Sequence, residues 1–395
     1  MFSTTSLGLG MSAATLELLG DAFSVIQTSL GDGHGNPSDS EPTRVPMPGL
    51  QRTMPSKAVS AAVAENTVLP MFSDVFVVSL PSRADRRADM ERIRQAVPLF
   101  NFSFFDATPA DDRRISVIYD TVKQTRETYT TSSSTAPTFL WPEDASALSH
   151  SPLGQAGADR WATAALATET AALSTSTQTA SYDTHLDPFP RAEPLTCASQ
   201  NYVSGPPYSL ALPPYQLLTR SKLACWHSHV AVLRAIAERD DGTDKVALIL
   251  EDDIDVERDV EERLQSLWGE LPEQWDMLFL GHCWSNESYH AALPHAHTSN
   301  KASSLHPSRA PKCTHAYAVT RAGARRLVEH LRYVPFAYSR ALDQAYAWLV
   351  LSGRVRSYSV VPSLVVQRKV LSSDIDPGES GVGSHWRESL REGVF

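Results

Sequence analysis

Four carboxylates follow directly on a short apolar run near the middle of the chain. The segment reads VALILEDDIDVE, and its first four acids are Glu251, Asp252, Asp253 and Asp255. Acidic side chains this close together repel one another, and a bound cation relieves the repulsion. Hard cations such as Mg²⁺ and Mn²⁺ prefer oxygen ligands, often carboxylates together with substrate phosphates. The segment therefore indicates a divalent-metal site, although a solvated acidic turn before the next helix is the simpler alternative.

The apolar run before the acids predicts a buried β-strand with the acids at its carboxyl end. Ligands of mainly parallel sheets bind at that end of the strands. Alternate residues of an extended segment point the same way. This alternation predicts Glu251, Asp253 and Asp255 as metal ligands on one side. It leaves Asp252 on the other side, as a loop or sugar contact.

An arginine-rich loop follows the first predicted strand. DVFVVSL, which begins at Asp74, is a continuous apolar run of the kind expected for a strand buried on both faces. The residues after it have apolar side chains at near-helical spacing and begin with Arg83, Asp85 and Arg86. Arginine forks suit phosphate oxygens, so this loop is a candidate contact for a nucleotide. A helix start with solvated charges is the alternative.

A predicted helix in the second half of the chain contains a cysteine and two histidines. In the segment LTRSKLACWHSHVAVLRAI, Cys225 and His229 are four residues apart and share a helix face, whereas His227 does not. Two ligands fall short of the four that zinc usually takes. We therefore expect a buried helix with His229 hydrogen-bonded near the ligand. The cysteines form no CxxC pair, and one disulfide, such as Cys283–Cys313, stays open.

Strand and helix patterns alternate from Asp74 onward, which predicts an α/β sandwich with a mainly parallel sheet. Residues 1–70 are rich in Gly, Pro, Ser and Thr, and we expect a mostly disordered tail. Residues 71–395 then form one domain, with a long and largely disordered insertion at about 109–214. Short helices are predicted at Ala13–Ile26 and Asp159–Leu173.

The composition limits the partners. With 42% hydrophobic and 20% charged residues, the chain has the balance of a soluble globular protein. The net charge of -10 argues against nucleic acid as a partner, because phosphate neutralisation needs a basic face. We expect no membrane span, because the apolar runs are shorter than the roughly 20 residues a helix needs. The start of the chain is a poor signal peptide, and the compartment stays open.

Several of these segments, in this order, resemble the motifs of glycosyltransferase family 25, the group of lipopolysaccharide-biosynthesis and procollagen-galactosyltransferase relatives. In place of the usual glycine, this chain has Ala224, and the tail and the insertion are further departures. The blocks that carry the resemblance are VFVVSLPSRADRRADM, LTRSKLACWHSHVAVLRAI, ALILEDDIDVE, WDMLFLG, AYAVTRAGARRLVEHL and LDQAYAWL.

The resemblance implies a GT-A-like, nucleotide-sugar-binding fold that uses Mn²⁺ or Mg²⁺. Such enzymes move a hexose, often galactose from a UDP donor, to a hydroxyl of a glycan or protein. A cation offsets the charge on the diphosphate leaving group, and inversion needs a carboxylate base. The resemblance assigns that base to Asp343, for which a helix-surface acid beside Arg340 is the alternative. The implied donor contacts are Arg83, Asp85, Arg86, Ser228, His229 and Asp252.

Two other functions remain open from the sequence. A catalytically inactive relative would keep the fold and bind a sugar nucleotide without transferring the sugar. A phosphohydrolase would use the same acids for Mg²⁺, but the sequence has no evident aspartyl-phosphate motif. Two further polar residues are given no chemical role: Asp276 is predicted to brace its strand, and a lone histidine such as His385 is seldom a ligand.

Overall fold

The apolar runs of the sequence form strands, and the amphipathic segments between them form helices. The structure is a computed structural model, and it describes residues 71–97, 100–131, 137–142, 193–239, 245–294, 303–368, 375 and 390–395. The strands are β1 Asp74–Ser79, β2 Ser103–Asp106, β3 Val246–Glu251, β4 Ile254–Val256, β5 Met277–Cys283, β6 Ser304–Pro307, β7 Lys312–Thr320, β8 Ser357–Val361 and β9 Val365–Gln367. The helices are α1 Ala84–Ala96, α2 Arg113–Thr131, α3 Arg220–Ala237, α4 Val260–Trp268, α5 Arg321–Leu331 and α6 Leu342–Leu351.

Seven strands form the central sheet, in the order β2-β1-β3-β7-β5-β8-β6. Five of them run in one direction, and β7 and β6 run against it. The predicted α/β class and mostly parallel sheet are confirmed, and the arrangement is consistent with a GT-A-like sandwich. The two antiparallel strands were not predicted, because an apolar run carries no information about direction. Strands β4 and β9 form a separate antiparallel pair.

The strands bury both of their faces, which divides the core into two layers. Residues Phe76, Ile249, Phe279 and Tyr317 pack on one side of the sheet, together with α2, α3, α5 and α6. Their chain neighbours Val77, Leu250, Leu280 and Ala318 pack on the other side, together with α1 and α4. This alternation explains why the strands read as continuous apolar runs. Among the described residues, no helix is long and apolar enough to span a bilayer.

A helix lies where the sequence predicted disorder. Helix α2, Arg113–Thr131, falls inside the expected insertion at 109–214, and the segment 193–214 is also described. Ile115, Ile118 and Val122 bury the inner face of α2 in the core. The expectation was therefore wrong for α2, because its few apolar residues stand among many polar ones and gave too weak a helical period. Residues 1–70, residues 132–136 and 143–192 of the insertion, both predicted short helices and His385 lie outside the described residues.

A disulfide joins the end of β5 to the start of β7. Cys283 and Cys313 form the bridge, with their Cα atoms 5.8 Å apart, while Cys197 and Cys225 are free. The sequence had left this pairing open. A bridge that closes a loop of this kind raises the free energy of unfolding by about 2–4 kcal/mol, mainly by restricting the unfolded chain.

A close backbone contact explains the glycine in the motif TRAGARRL. Thr320 caps α5 by accepting the Gly323 N–H at 2.9 Å. A Cβ built on Gly323 would lie 2.0 Å from the carbonyl oxygen of Asp276. Asp276 is itself buried and accepts the Arg356 N–H at 2.8 Å, so its predicted bracing role is confirmed. This motif therefore fastens α5 against the edge of β5.

Gly323→Ala is expected to lower the free energy of unfolding by about 1–3 kcal/mol, because the new methyl group must push the Asp276 backbone aside. Urea denaturation measures the change. Gly269→Ala is the matched control, since a Cβ there meets nothing within 4 Å. Equal midpoints for the two variants would show that the contact at Gly323 is not tight.

Candidate active site

Three carboxylates of the acid run line a cavity of about 140 Å³ at the carboxyl end of β3. Strand β3 ends at Glu251, and the chain bends at 252–253 before β4 begins at Ile254. The bend turns Glu251, Asp252 and Asp253 toward the same cavity, so the predicted separation of Asp252 from the other acids was wrong. The other lining residues come from the ends of β1 and β2, from α1 and α3, and from Gln367 and Ile375.

An arginine of α1 lies directly over two of these carboxylates. Arg86 Nη1 is 2.9 Å from Asp252 Oδ1 and 3.4 Å from Asp253 Oδ2. Gln367 Nε2 also donates to Asp253, at 3.2 Å. Arg86 and Asp252 are 166 residues apart in the sequence, and they come into contact where the carboxyl ends of β1 and β3 lie side by side.

The pKa values of both carboxyl groups beside Arg86 are raised. Burial, with the negative charge of Glu251 next, raises the pKa of Asp253 to about 7. Burial also raises the pKa of Asp252, although hydrogen bonds from Ser79 and Arg86 partly oppose it. One guanidinium therefore does not neutralise this group of acids. Partly buried carboxylates with excess negative charge fit a divalent cation.

Glu251 lies against helix α3 and strand β7. Its Oε1 accepts the Thr314 hydroxyl at 2.5 Å and is 3.5 Å from His229 Nε2. Burial would raise the pKa of Glu251, but the hydrogen bond and charge of His229 outweigh it, helped by Thr314, and the pKa is lowered. The Cys225 thiol lies beside this pair, and its pKa is raised well above the usual value by burial and then by the charge of Glu251.

Asp255 does not join the other acids, which corrects its assignment as a metal ligand. It is buried in β4, and its Oδ1 accepts the backbone N–H groups of Val394 at 2.9 Å and Phe395 at 3.3 Å. Glu257, which is also buried, accepts the N–H groups of Arg391 and Glu392. The two carboxylates therefore fasten residues 391–395 along β4.

Asp255→Ala is expected to destabilise the protein by about 1–3 kcal/mol, because the Val394 and Phe395 N–H groups lose the carboxylate that they share and Val394 keeps only the Val256 carbonyl at 3.2 Å. Proteolysis of residues 391–395 should become faster, which mass spectrometry of timed digests measures. Manganese binding should be unchanged, because Asp255 faces away from the cavity. A folded Asp255→Ala protein that no longer bound manganese would restore Asp255 as a ligand.

The structure separates the arginine loop into different roles. Arg83 and Asp85 pair with each other at 2.9 Å and do not line the cavity, so their assignment as donor contacts is not supported. The hydrogen bond from Arg83 lowers the pKa of Asp85 to about 2. Arg87 donates to Ser79 O at 3.1 Å and to Asp106 at 2.6 Å, which ties β1 to β2. Arg86 is the member of this loop that reaches the cavity.

The predicted helical contacts lie in the cavity wall. Ser228 Oγ accepts the Thr108 N–H at 2.9 Å and donates to Ala224 O at 2.7 Å, so it joins α3 to the loop after β2. His229 is buried, and its Nδ1 is 2.8 Å from the Tyr317 hydroxyl. His227 lies on another face of the helix, as predicted, and its Nδ1 pairs with the Thr108 hydroxyl at 3.0 Å.

Asp343 lies in the first turn of α6 and does not line the described cavity. Its Oδ1 accepts the Gln344 N–H at 2.7 Å. Its negative charge contributes to the raised pKa of the Cys225 thiol, which places it within electrostatic range of the cavity wall. Arg340, the neighbour named in the sequence alternative, is buried and donates to Ser339 and Tyr202 instead.

Sequence reasoning missed three residues that shape the site. Thr314 and Tyr317 come from β7, and Gln367 comes from β9. Tyr317 belongs to the Ala-Tyr pair of a family-like motif, which is the one signal that pointed to it. No spacing in the sequence predicted that Thr314 and Gln367 would contact the acids.

A second, wider depression of about 630 Å³ lies beside α4. Mostly exposed charged side chains line it, including Arg258, Glu262 and Glu392. It contains none of the acids that follow β3, and it lacks their burial. We therefore assign the chemistry to the smaller cavity.

The comparison with protein families agrees with this location. Residues 211–342, about a third of the chain, match the family model described as Glycosyltransferase family 25 (LPS biosynthesis protein). The match includes α3, the acid run, β5 and β7. A search of curated proteins found no significant match. The resemblance predicted from the motifs is therefore confirmed over residues 211–342, where the chain is similar to glycosyltransferase family 25, and this similarity supports glycosyl transfer in general.

Proposed function

We propose that this protein is a metal-dependent hexosyltransferase that moves a sugar from a nucleotide diphosphate donor to an acceptor hydroxyl with inversion. UDP-galactose is the first donor to test, and the acceptor is a glycan or a protein. One observation carries the proposal: Glu251, Asp252 and Asp253 face a single cavity with Arg86 at the carboxyl end of β3. Carboxylates and an arginine in one cavity suit a cation and a diphosphate together.

Glu251 and Asp253 are the proposed ligands of Mn²⁺ or Mg²⁺. The bound cation would supply positive charge that offsets the charge on the leaving diphosphate. Arg86 holds Asp252 and Asp253 in the free protein. With a cation taking over that charge, its guanidinium can turn to a phosphate oxygen, for which its planar fork is suited. Asp252 then remains as the contact to a sugar or ribose hydroxyl.

The proposed base is Asp343, which would accept the proton of the attacking hydroxyl. One contact supports it: Asp343 Oδ1 accepts the Gln344 N–H, which holds the carboxylate at the start of α6. The acceptor would then approach from the side of α6. His229 and Ser228 shape the cavity wall and keep α3 in place beside the donor.

A panel of nucleotide sugars tests the proposed function directly. Each donor is incubated with protein and Mn²⁺, Mg²⁺ or EDTA, and released nucleotide and thermal stabilisation are measured. We expect one sugar nucleotide to be hydrolysed slowly in a metal-dependent reaction, and transfer to begin when an acceptor is added. Stabilisation without hydrolysis or transfer would identify an inactive relative. Phosphate release from simple phosphate esters would identify a phosphohydrolase and overturn the proposal.

A further inference from the structure

We propose that Cys225, His229 and Glu251 form a zinc-binding site in the wall of the same cavity. Cys225 and His229 lie one turn apart on α3, and Glu251 ends the neighbouring strand β3. Their candidate ligand atoms all lie within 4.8 Å of one another. The third ligand comes from a strand next to the helix, and for that reason the helix alone could not reveal the site.

The spacing of the ligand atoms fits a tetrahedral ion. Zinc bonds of about 2.0–2.1 Å to nitrogen, 2.0–2.2 Å to oxygen and 2.3 Å to sulfur place neighbouring ligand atoms about 3.3–3.6 Å apart. His229 Nε2 and Glu251 Oε1 are 3.5 Å apart. This nitrogen–oxygen distance is at the outer limit of a hydrogen bond, but it is the distance expected between two ligand atoms of one zinc ion. The Cys225 Sγ lies within 4.8 Å of both of these ligands.

Strand β7 orients two of the three ligands. The Thr314 hydroxyl holds Glu251 Oε1, and the Tyr317 hydroxyl meets His229 Nδ1. When Nδ1 donates its proton to the Tyr317 oxygen, Nε2 presents its lone pair to the other ligands. Metal-bound histidines nearly always have such a partner on the second nitrogen. Tyr317 in turn contacts the Tyr346 hydroxyl at 3.2 Å, so the imidazole is held from the core side.

The ligand chemistry separates this site from the proposed donor site. A thiolate, an imidazole and a carboxylate suit Zn²⁺, whereas Mn²⁺ and Mg²⁺ favour oxygen ligands alone. Three protein ligands leave a fourth position for water or a substrate oxygen. All three residues line the cavity, so that position opens toward it. Because Glu251 belongs to both sets, bound zinc would compete with manganese for this carboxylate and inhibit transfer.

Cobalt titration of the metal-free protein tests the site without a nucleotide or an acceptor. Co²⁺ serves as a coloured substitute for Zn²⁺, and a thiolate ligand produces a charge-transfer band in the near ultraviolet. We expect that band in the wild type, its disappearance in Cys225→Ser, and its displacement by Zn²⁺. Cys197→Ser is the matched control, because this second free cysteine is buried elsewhere and should leave the band unchanged. A band that persisted in Cys225→Ser would overturn the proposal, as would its absence from the wild type.

Two further variants separate a lost ligand from a damaged fold. Glu251→Gln should weaken zinc binding by at least about 10–100-fold, because losing a ligand costs no less than losing a group that hydrogen-bonds to one, while the near-ultraviolet circular dichroism stays native. Asp253→Asn should keep the cobalt band, because Asp253 is not in this ligand set. Loss of the band in Asp253→Asn would assign the cobalt to the donor site and end the zinc proposal. The cobalt band, zinc binding and circular dichroism need no donor or acceptor. These three measurements would therefore still test the zinc site if the protein proved not to be a transferase.

Discussion

Asp253→Asn is expected to slow the metal-dependent reaction strongly and, at the same time, to stabilise the metal-free protein. The amide keeps the shape of the carboxylate and removes its charge, so the proposed cation loses one of its two ligands. We expect kcat/KM for donor turnover to fall by roughly 100–1000-fold, the size of effect seen when one charge-stabilising group is removed from an active site.

The stability gain follows from the raised pKa of Asp253. Burial and the charge of Glu251 place this pKa at about 7, above the value of about 3.9 in an unfolded chain. The folded state therefore binds this proton more tightly than the unfolded state does. The penalty of ionising Asp253 grows between about pH 4 and 7 and is complete above pH 7. Asp253→Asn removes that penalty, so the variant should be more stable by about 1–4 kcal/mol at pH 8 and nearly equal to wild type at pH 4.

Thermal denaturation with EDTA at a series of pH values, together with donor turnover in Mn²⁺, measures both effects on the same protein. Asp255→Asn is the control, because its charge lies in the same run but faces residues 391–395 rather than the cavity. It should keep its turnover. Normal donor turnover by Asp253→Asn would contradict the role of this carboxylate as a metal ligand. A stability difference from wild type that is no larger at pH 8 than at pH 4 would contradict the raised pKa.

Asp343→Asn is expected to lower kcat for transfer by roughly 100–10,000-fold while donor binding stays unchanged, the range that general base catalysis supplies. The amide oxygen can still accept the Gln344 N–H, so the start of α6 should stay folded. Calorimetric titration with the donor and single-turnover transfer assays separate binding from chemistry.

A second helix-start acid provides the control for Asp343. Asp259 precedes α4, is exposed, and pairs with Arg263 at 2.8 Å, far from any role in the cavity. Asp259→Asn should change stability by less than about 1 kcal/mol and leave kcat unchanged. If Asp343→Asn behaved in the same way, the base would have to be sought among other acids.

Much of the fold could be predicted, because burial on both faces leaves a clear trace in the sequence. The runs that became β1, β3 and β5 are continuously apolar, and α3 has one wide apolar face. The direction of a strand does not affect its apolar pattern, so the antiparallel orientation of β7 could not be predicted from the sequence. Helix α2 was missed for the opposite reason, because most of its surface is polar and its buried stripe is narrow.

The site was predicted in part. The acids were found at the end of β3, but alternation along an extended chain failed at the bend at 252–253. It placed Asp252 on the side away from the metal ligands and Asp255 among them, whereas in the structure Asp252 lines the cavity with Glu251 and Asp253 and Asp255 does not. Arg86 reached the cavity because α1 starts beside β3, whereas Arg83 and Asp85 satisfied each other. Thr314, Tyr317 and Gln367 contact the site through tertiary pairing, which a single sequence does not encode locally.

Titration of the metal-free protein with Mn²⁺ in the presence of UDP, followed by electron paramagnetic resonance of the free ion, measures whether Glu251 and Asp253 hold a divalent cation that joins the end of β3 to a nucleotide diphosphate. We expect wild type and Asp255→Asn to bind one Mn²⁺ more tightly when UDP is present, and Asp253→Asn to lose that binding. Undiminished Mn²⁺ binding by Asp253→Asn would contradict the account.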